Sequence, residues 1–432
     1  NEQKKNHEPY LVEAISFRMR GHEEASGTKY YPEGLQEKWS KKDPLEKFEN
    51  KLIQKNIVDS KKIEEIKSDF KNKINLAWKK ADSSEKIKPD LNYELNDIYQ
   101  NYPFKEQKSN GKKVDLRLID AIREALYQGL EKYPELVIMG QDIAEYGGVF
   151  KATEGFVEKF GKERIRNTPL CESAIVGAAL GLSIKNKKAI MEMQFADFVT
   201  VGFNQIINNL AKLHYRWGEN ADVVIRMPTG AGVAAGPFHS QSNEAWFFHT
   251  PGLKIVYPSN PVDAKGLLLA AIEDPNPVMV FEHKALYRSL SEPVPEDYYT
   301  TEIGKAVLVQ EGTELSIITY GMGVHWAKKA INKAGISADI LDLRTLLPLD
   351  KGAIFKSVSK TNKVLVLHED CLTGGIGGEI TALINENCFE DLDAPVLRCA
   401  SLDTPVPFAS ELENQFLASN DLDNKIQQLI KY

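Results

Sequence analysis

The sequence predicts an α/β protein: a parallel sheet covered by helices on both faces, followed by a second, smaller α/β domain. Three observations carry that expectation. Short, nearly all-apolar segments at 136–139, 189–195, 222–228, 253–258 and 277–283 alternate with helical patterns, and strands that read apolar along their whole length are strands buried on both faces. A polar stretch at 284–305, containing SLSEPVPEDYY, then interrupts the pattern and marks a boundary. The alternation resumes in 315–321, 337–344, 363–370 and 394–401. At 432 residues the chain exceeds one ordinary core and fits two or three domains.

The elements follow in order. LVEAISFRMR, near the start, reads as a short strand, RGHEEASGTKYYPEG as a polar loop, and Lys42-Asp43-Pro44 as a helix start. Residues 51–90 form a lysine-rich helical stretch in which Ile63, Ile66, Phe70, Ile74 and Trp78 make one apolar stripe, the pattern of a helix packed on a neighbour. From Lys88 to Lys113 the chain is rich in Pro, Asn and Lys and reads as a linker. Leu118, Ile119, Ile122, Leu126 and Leu130 then share one helical face, and further helices are expected at 172–184, 203–217 and 263–274. The expected organisation is 1–87, a linker at 88–113, a domain at 114–290 and a smaller one at 305–432, with no internal repeat.

Composition narrows the function. A formal net charge of −7 argues against a general nucleic-acid or membrane-surface binder. Cys171, Cys371, Cys388 and Cys399 form no CxxC pair and no zinc-type spacing, and so few cysteines fit a reducing compartment. No apolar run approaches the roughly 18 residues that span a bilayer. The start, NEQKKNHEPYLVEA, lacks a signal-peptide core and an initiator Met. A cytoplasmic location and a chain that begins within a domain are the expectations.

In open α/β sheets ligands sit beyond the carboxyl ends of the strands. Gln141, Asp142, Glu172, Gln194, Asp197 and the loop 229–242 fall there. That loop, TGAGVAAGPFHSQS, lets backbone approach a ligand and ends near His239, which is either a proton-transfer group or a satisfied polar residue. Glu172 opens an otherwise apolar helix. It is either a helix-terminus feature or a partly buried carboxyl holding a proton that a cofactor ring nitrogen needs. The glycine turns at 320–323 and 373–378 lack the full spacing and ribose-binding acid of a dinucleotide loop and read as close helix–sheet packing.

The run GGVFKATEGFVEKFGKERIRNTPLCESAIVGAALGL resembles the beta subunit of the thiamine-diphosphate-dependent 2-oxoacid dehydrogenase decarboxylases, and MEMQFADFVTVGFNQIINNLAK and FHSQSNEAWFFHTPGLKIVYPSNPVDAKGLLLAAIEDPNP continue the resemblance. DLRTLLPLD, LHEDCLTGGIGGEI and CASLDTPVPF extend it to about 113–432, while NTPLCE and LTGG lean to the branched-chain over the pyruvate type. LVEAISFRMRGH, Trp39, Asp43-Pro44 and PDLNYELNDIYQNYP instead resemble the carboxyl-terminal end of the alpha subunit. The whole resembles an alpha–beta fusion without the Gly-Asp-Gly…Asn motif that holds magnesium and diphosphate; Asn208-Asn209 has no Gly-Asp-Gly upstream.

This resemblance implies a pyrimidine-binding domain at 114–290, a transketolase C-terminal-type domain at 305–432, and an alpha-type diphosphate-binding remnant at 1–87. It places the catalytic glutamate at Glu172, which would assist coenzyme ionisation, and pyrimidine-lining residues at Leu170, Gln194 and Phe198. Phe198 stands where branched-chain relatives carry Tyr. His239 matches the beta-subunit histidine of acyl transfer, and His22 the alpha-subunit histidine near the phosphates. Glu23 stands where mitochondrial relatives carry a regulated serine, which argues against phosphorylation there. Asp274 and Asn276 match a potassium site in some relatives, or an ordinary polar turn. The implied reaction is decarboxylation of a 2-oxoacid of the 3-methyl-2-oxobutanoate type and acyl transfer to lipoyl protein, with thiamine diphosphate and Mg2+ and possible K+. The implied partners are the lipoyl acyltransferase and the alpha domain, in a homodimer of the fusion. The alternatives are the same chemistry on pyruvate, a non-catalytic half-site, and a transketolase-like activity, which the match through both domains disfavours.

Overall fold

A computed structural model describes residues 11–23 and 25–432. The chain divides into two compact units, Asn1–Pro89 and Asp90–Tyr432.

In the first unit the segment expected as a strand is irregular. No strand among the described residues pairs with it, and a strand without a ladder leaves its backbone groups unmatched. It is pinned by side chains instead: Phe17 stacks on Trp39 at 5.5 Å, and Tyr31 Oη donates to the Arg18 carbonyl. The helix start at Asp43-Pro44 is observed, with Asp43 accepting from Leu45 N–H and Pro44 in the first turn, where its missing donor costs nothing. The lysine-rich stretch is two helices, Pro44–Gln54 and Ser60–Asp82, joined by a Glu49–Lys67 ion pair. The apolar stripe does not pack as expected. Only Ile63 is half-covered, and Ile66, Phe70, Ile74 and Trp78 are exposed.

The second unit holds the sheets. Its first strands are β1 (Lys113–Arg117), β2 (Val137–Gly140), β3 (Ile165–Asn167), β4 (Ala189–Glu192), β5 (Val223–Thr229), β6 (Lys254–Val256), β7 (Val278–His283) and β8 (Ser291–Pro295). They are followed by β9 (Val307–Gln310), β10 (Leu315–Thr319), β11 (Ala338–Asp342), β12 (Thr345–Leu347), β13 (Val364–Cys371) and β14 (Leu397–Ser401). One seven-stranded sheet runs β12-β6-β7-β5-β4-β2-β3, parallel except for β12. A five-stranded sheet runs β14-β13-β10-β11-β9, parallel except for β9. Of the five apolar strands expected in the first sheet, β2, β4, β5 and β7 are buried along their full length, and β6 is buried except at Lys254.

Three features lay outside the sequence pattern. First, the stretch at 284–305 contributes β8, which pairs antiparallel with β1. Second, the residues after Pro89 are anchored: Tyr99 Oη donates to the Leu253 carbonyl at 2.8 Å, and Tyr102 Oη and Gln107 Nε2 both donate to Glu273. Third, β12 leaves the second sheet's sequence region and joins the first sheet at β6. The core follows that crossing, since one apolar cluster runs from Met191, Ile225 and Phe281 into Ile318, Leu341 and Val366. The helix expected at 203–217 is three pieces, with a π-helical turn at Gln205–Leu210 between Val199–Asn204 and Leu213–Trp217.

The crossing carries a pH-sensitive carboxyl. Asp342, fully buried at the end of β11, accepts from Ser259 Oγ and Arg344 N–H, yet burial pushes its pKa up to about 7. An unfolded Asp titrates near 3.9. The folded state therefore holds the proton more tightly, and stability is lost as pH rises through this interval. Asp342→Asn keeps both partners and removes the titration. Its melting temperature relative to wild type should climb from pH 5 to pH 8; a constant difference would refute the assignment.

Candidate active site

The carboxyl ends of β4, β5 and β7 are joined by a buried charge network. Arg226, 1% exposed, forks onto Glu282 at 3.0 and 2.7 Å and also reaches Glu192. Tyr287 Oη donates to Glu282 at 2.6 Å. Burial raises the Glu192 pKa, with Arg226 opposing it. Buried charges are tolerated when paired and hydrogen-bonded, and here the pairing locks three neighbouring strand ends into one register. The sequence signal was an Arg inside the apolar VVIRMPT and a Glu closing AIME; neither was read as functional.

The expected residues fall into separate contacts past the strand ends. Glu172 is the first residue of the helix Glu172–Ile184, and the preceding Cys171 offers no side-chain cap. Glu172 is 8% exposed and accepts from Gln141 Nε2 at 3.0 Å, while Gln141 Oε1 is buried with no partner among the described residues. A helix start holding its acid inside, beside an unmatched amide oxygen, leaves polar groups that a ligand could meet. Leu170, two residues earlier, is 80% exposed. Gln194, just past β4, donates to Asp142 at 3.3 Å. Phe198 and Phe195 lie against His239 with ring centroids 5.6 and 4.7 Å away, both edge-on. The structure thus brings together Glu172 with Gln141, Gln194 with Asp142, and His239 with Phe198. His22 belongs to the first unit, exposed, with Arg18 Nη1 3.4 Å from its Nδ1.

The loop bearing His239 is tied down by Asp197, one of the strand-end candidates, and by Glu369, which the sequence did not single out. Asp197 accepts from the backbone and side-chain N–H groups of Gln241. Glu369, on β13 of the second sheet, accepts from Ala231 N–H at 2.6 Å and lies 2.6 Å from His283 Nε2. Despite its burial, the His283 charge and hydrogen bond hold the Glu369 carboxyl below its usual range. Burial lowers the Lys284 ammonium to about 8 against the pull of Asp197, Glu369 and Glu413. Gly230 is required there, because a Cβ would lie 2.3 Å from His283 Nε2 and its φ is 90°.

Residues 114–289 match the transketolase pyrimidine-binding domain and residues 304–421 the transketolase C-terminal domain. Residues 1–90 match the dehydrogenase E1 component. With a buried glutamate heading a helix beyond the strand ends, they define the class as a thiamine-diphosphate-dependent enzyme. Within that class the chain belongs to the 2-oxoacid dehydrogenase E1 beta-subunit family, joined to an E1-type segment in front. It is 48% identical over 309 residues to the 2-oxoisovalerate dehydrogenase subunit beta of Bacillus subtilis (strain 168), spanning 70% of this chain and 94% of that protein. It is 45% identical over 302 residues to the mitochondrial subunit beta 2 of Arabidopsis thaliana (68% and 84%). It is also 44% identical over 312 residues to the pyruvate dehydrogenase E1 component subunit beta of Bacillus subtilis (71% and 96%). A split-gene transketolase in an inactive beta4 tetramer shares the fold, with a TM-score of 0.61 at 22% identity over 73% of this chain and 99% of that one.

The donor set fits thiamine diphosphate, whereas the side chains matched to potassium have other partners. For thiamine diphosphate, Glu172, the unmatched Gln141 oxygen and the exposed Leu170 supply a polar and an apolar contact for a flat heteroaromatic ring. For potassium the side chains are already engaged. Asp274 pairs with Lys254 Nζ and accepts from Asn276, whose side chain also binds both backbone groups of Gln100. An ammonium satisfies that carboxylate, so Asp274 and Asn276 act as a polar turn. Among the described residues no cluster of three or more His, Cys, Asp or Glu could hold a metal ion, and no helix is long and apolar enough to cross a membrane.

Proposed function

We propose that the chain provides the pyrimidine-side half of a decarboxylase that acts on a branched-chain 2-oxoacid of the 3-methyl-2-oxobutanoate type and passes the acyl group to a lipoyl protein. The observation that carries the reading is the buried Glu172 bonded to Gln141, in a chain 48% identical to a 2-oxoisovalerate dehydrogenase beta subunit. Thiamine diphosphate, when bound, supplies the nucleophilic carbon and the electron sink for decarboxylation. Gln141 fixes Oε1 of Glu172, leaving Oε2 to share a proton with the pyrimidine nitrogen. Leu170 and Phe198 seat the ring, and Gln194 borders it. His239, held edge-on by two phenylalanines, moves a proton as the acyl group passes to one sulfur of the lipoyl disulfide, whose S–S bond breaks, accepts the electron pair and leaves the other sulfur as a thiol. Phe198 has no hydroxyl, so any hydroxyl role found at a Tyr there is absent. His22 and magnesium belong to the diphosphate side, supplied with the alpha domain. The lipoyl acyltransferase and a dimer of the fusion are the assembly this reading calls for.

Oxidant-coupled decarboxylation, with magnesium and thiamine diphosphate, tests the substrate. The branched-chain acid should be turned over with the higher kcat/KM; a preference for pyruvate would reassign the substrate, which the 44% identity to a pyruvate dehydrogenase subunit makes the second reading. His239→Ala should lower acyl transfer to a lipoyl domain more than decarboxylation read with the oxidant. Equal losses would move His239 to the first step.

A further inference from the structure

The loop that carries His239 is shaped by anions from the second sheet's domain. Gly230, Gly232, Ala234 and Gly236 take φ of 90°, 83°, 54° and 74°. Runs of such residues turn successive N–H groups toward one side and make an anion-binding concavity. Here a carboxylate of the same chain fills it. Glu413, on the helix Ser410–Phe416 and 3% exposed, accepts from Gly232 N–H through Oε1 and from Ala234 N–H through Oε2, both at 2.9 Å. Glu369 takes the Ala231 N–H just before them. Lys284 Nζ donates to the Gly230 carbonyl at 2.6 Å and supplies the nearby positive charge. Phe408 closes the other side, since a Cβ on Gly236 would lie 2.3 Å from its ring.

His239 itself has ring contacts with Phe195 and Phe198, and no described side chain hydrogen-bonds to it. Its position is therefore inherited from the backbone that Glu413 grips. We propose that Glu413 is a positioning residue for His239, acting through the backbone N–H groups of Gly232 and Ala234 to set the imidazole for acyl transfer. The inference rests on the acyl-transfer reading given above. It gives the second domain a part in the chemistry of the first.

The test uses the assembled holoenzyme. Glu413→Gln keeps the size, but one amide oxygen cannot accept both N–H groups, and its NH2 would face a backbone donor. The variant should bind thiamine diphosphate as wild type does, because Glu172 and Gln194 lie on other elements. It should speed amide hydrogen exchange in 230–240 and lower acylation of a lipoyl domain by about 10- to 100-fold, the scale of a misplaced reacting group. Oxidant-coupled decarboxylation should fall far less. Glu411→Gln, an exposed neighbour on the same helix, should match wild type throughout. If Glu413→Gln does not fold, Phe408→Ala, which buries no unpaired charge, should give the same pattern at smaller size. Wild-type loop exchange and acylation in the variant that folds overturns the proposal. So do equal falls in cofactor affinity, decarboxylation and acylation, the mark of a merely structural role. A wild-type enzyme silent on every 2-oxoacid defeats the functional reading and this inference with it, whereas an active wild type with an unaffected Glu413→Gln defeats the positioning role alone.

Discussion

Glu172→Gln should leave the protein folded with its melting temperature close to wild type and cut turnover by at least about 10²-fold, the usual scale of acid–base catalysis. The amide is isosteric and keeps an oxygen to accept from Gln141 Nε2, so the burial and the helix start survive. What it loses is a group able to pass a proton to and from a ring nitrogen. The measurement is steady-state decarboxylation at saturating thiamine diphosphate, beside a binding isotherm for the coenzyme. Near-normal turnover in a variant that binds the coenzyme would remove Glu172 from the chemistry and leave it a helix-terminus residue.

Arg226→Met should destabilise the protein by about 3–5 kcal/mol, the cost of leaving buried carboxylates without their cation. The guanidinium is the shared partner of Glu192 and Glu282, and all three side chains are buried at adjacent strand ends. The deficit relative to wild type should shrink as pH falls. Burial already pushes the Glu192 carboxyl up, and a protonated carboxyl needs no cation; the folded variant binds protons that its unfolded chain releases, so lower pH favours it. Urea denaturation at pH 5 and pH 8 reads both effects. The combined Glu192→Gln, Arg226→Met, Glu282→Gln protein should recover most of the loss, as neutral replacements of buried ion networks do. Stability within 1 kcal/mol of wild type for the single variant would mean that water reaches the network.

The two effects separate two layers of the same site. Glu172, the residue proposed to meet the coenzyme, was legible because a lone carboxylate at the head of ESAIVGAALGLSI has no reason of periodicity to be there. Arg226 touches only the chain, and its meaning depends on where Glu192 and Glu282 arrive in space. Those residues lie 34 and 56 positions away, and no local pattern links them. The same holds for Glu369 and Glu413, which reach the His239 loop from 138 and 181 residues downstream.

Two first-unit expectations, the strand and the packed stripe, failed for a related reason. LVEAISFRMR has strand-like composition, yet a strand exists only with a partner, and aromatic contacts hold the segment in another form. The stripe on Ser60–Asp82 has helical period and the helix is there, but period reports which residues share a face and not what covers it.

By itself the sequence determined the alternation of strands and helices, because period-2 and period-3.6 patterns and all-apolar runs are local consequences of burial on one or two faces. It also determined the candidate carboxylate and histidine, because polar residues at strand ends and in glycine loops stand out against an apolar background. Only the tertiary structure decided that β12 crosses to the first sheet, that Lys254 occupies the carboxylate matched to potassium, and that the second domain's acids grip the His239 loop. Each of these joins residues far apart in the chain, where the energy comes from a pairing in space and sequence separation carries no trace of it.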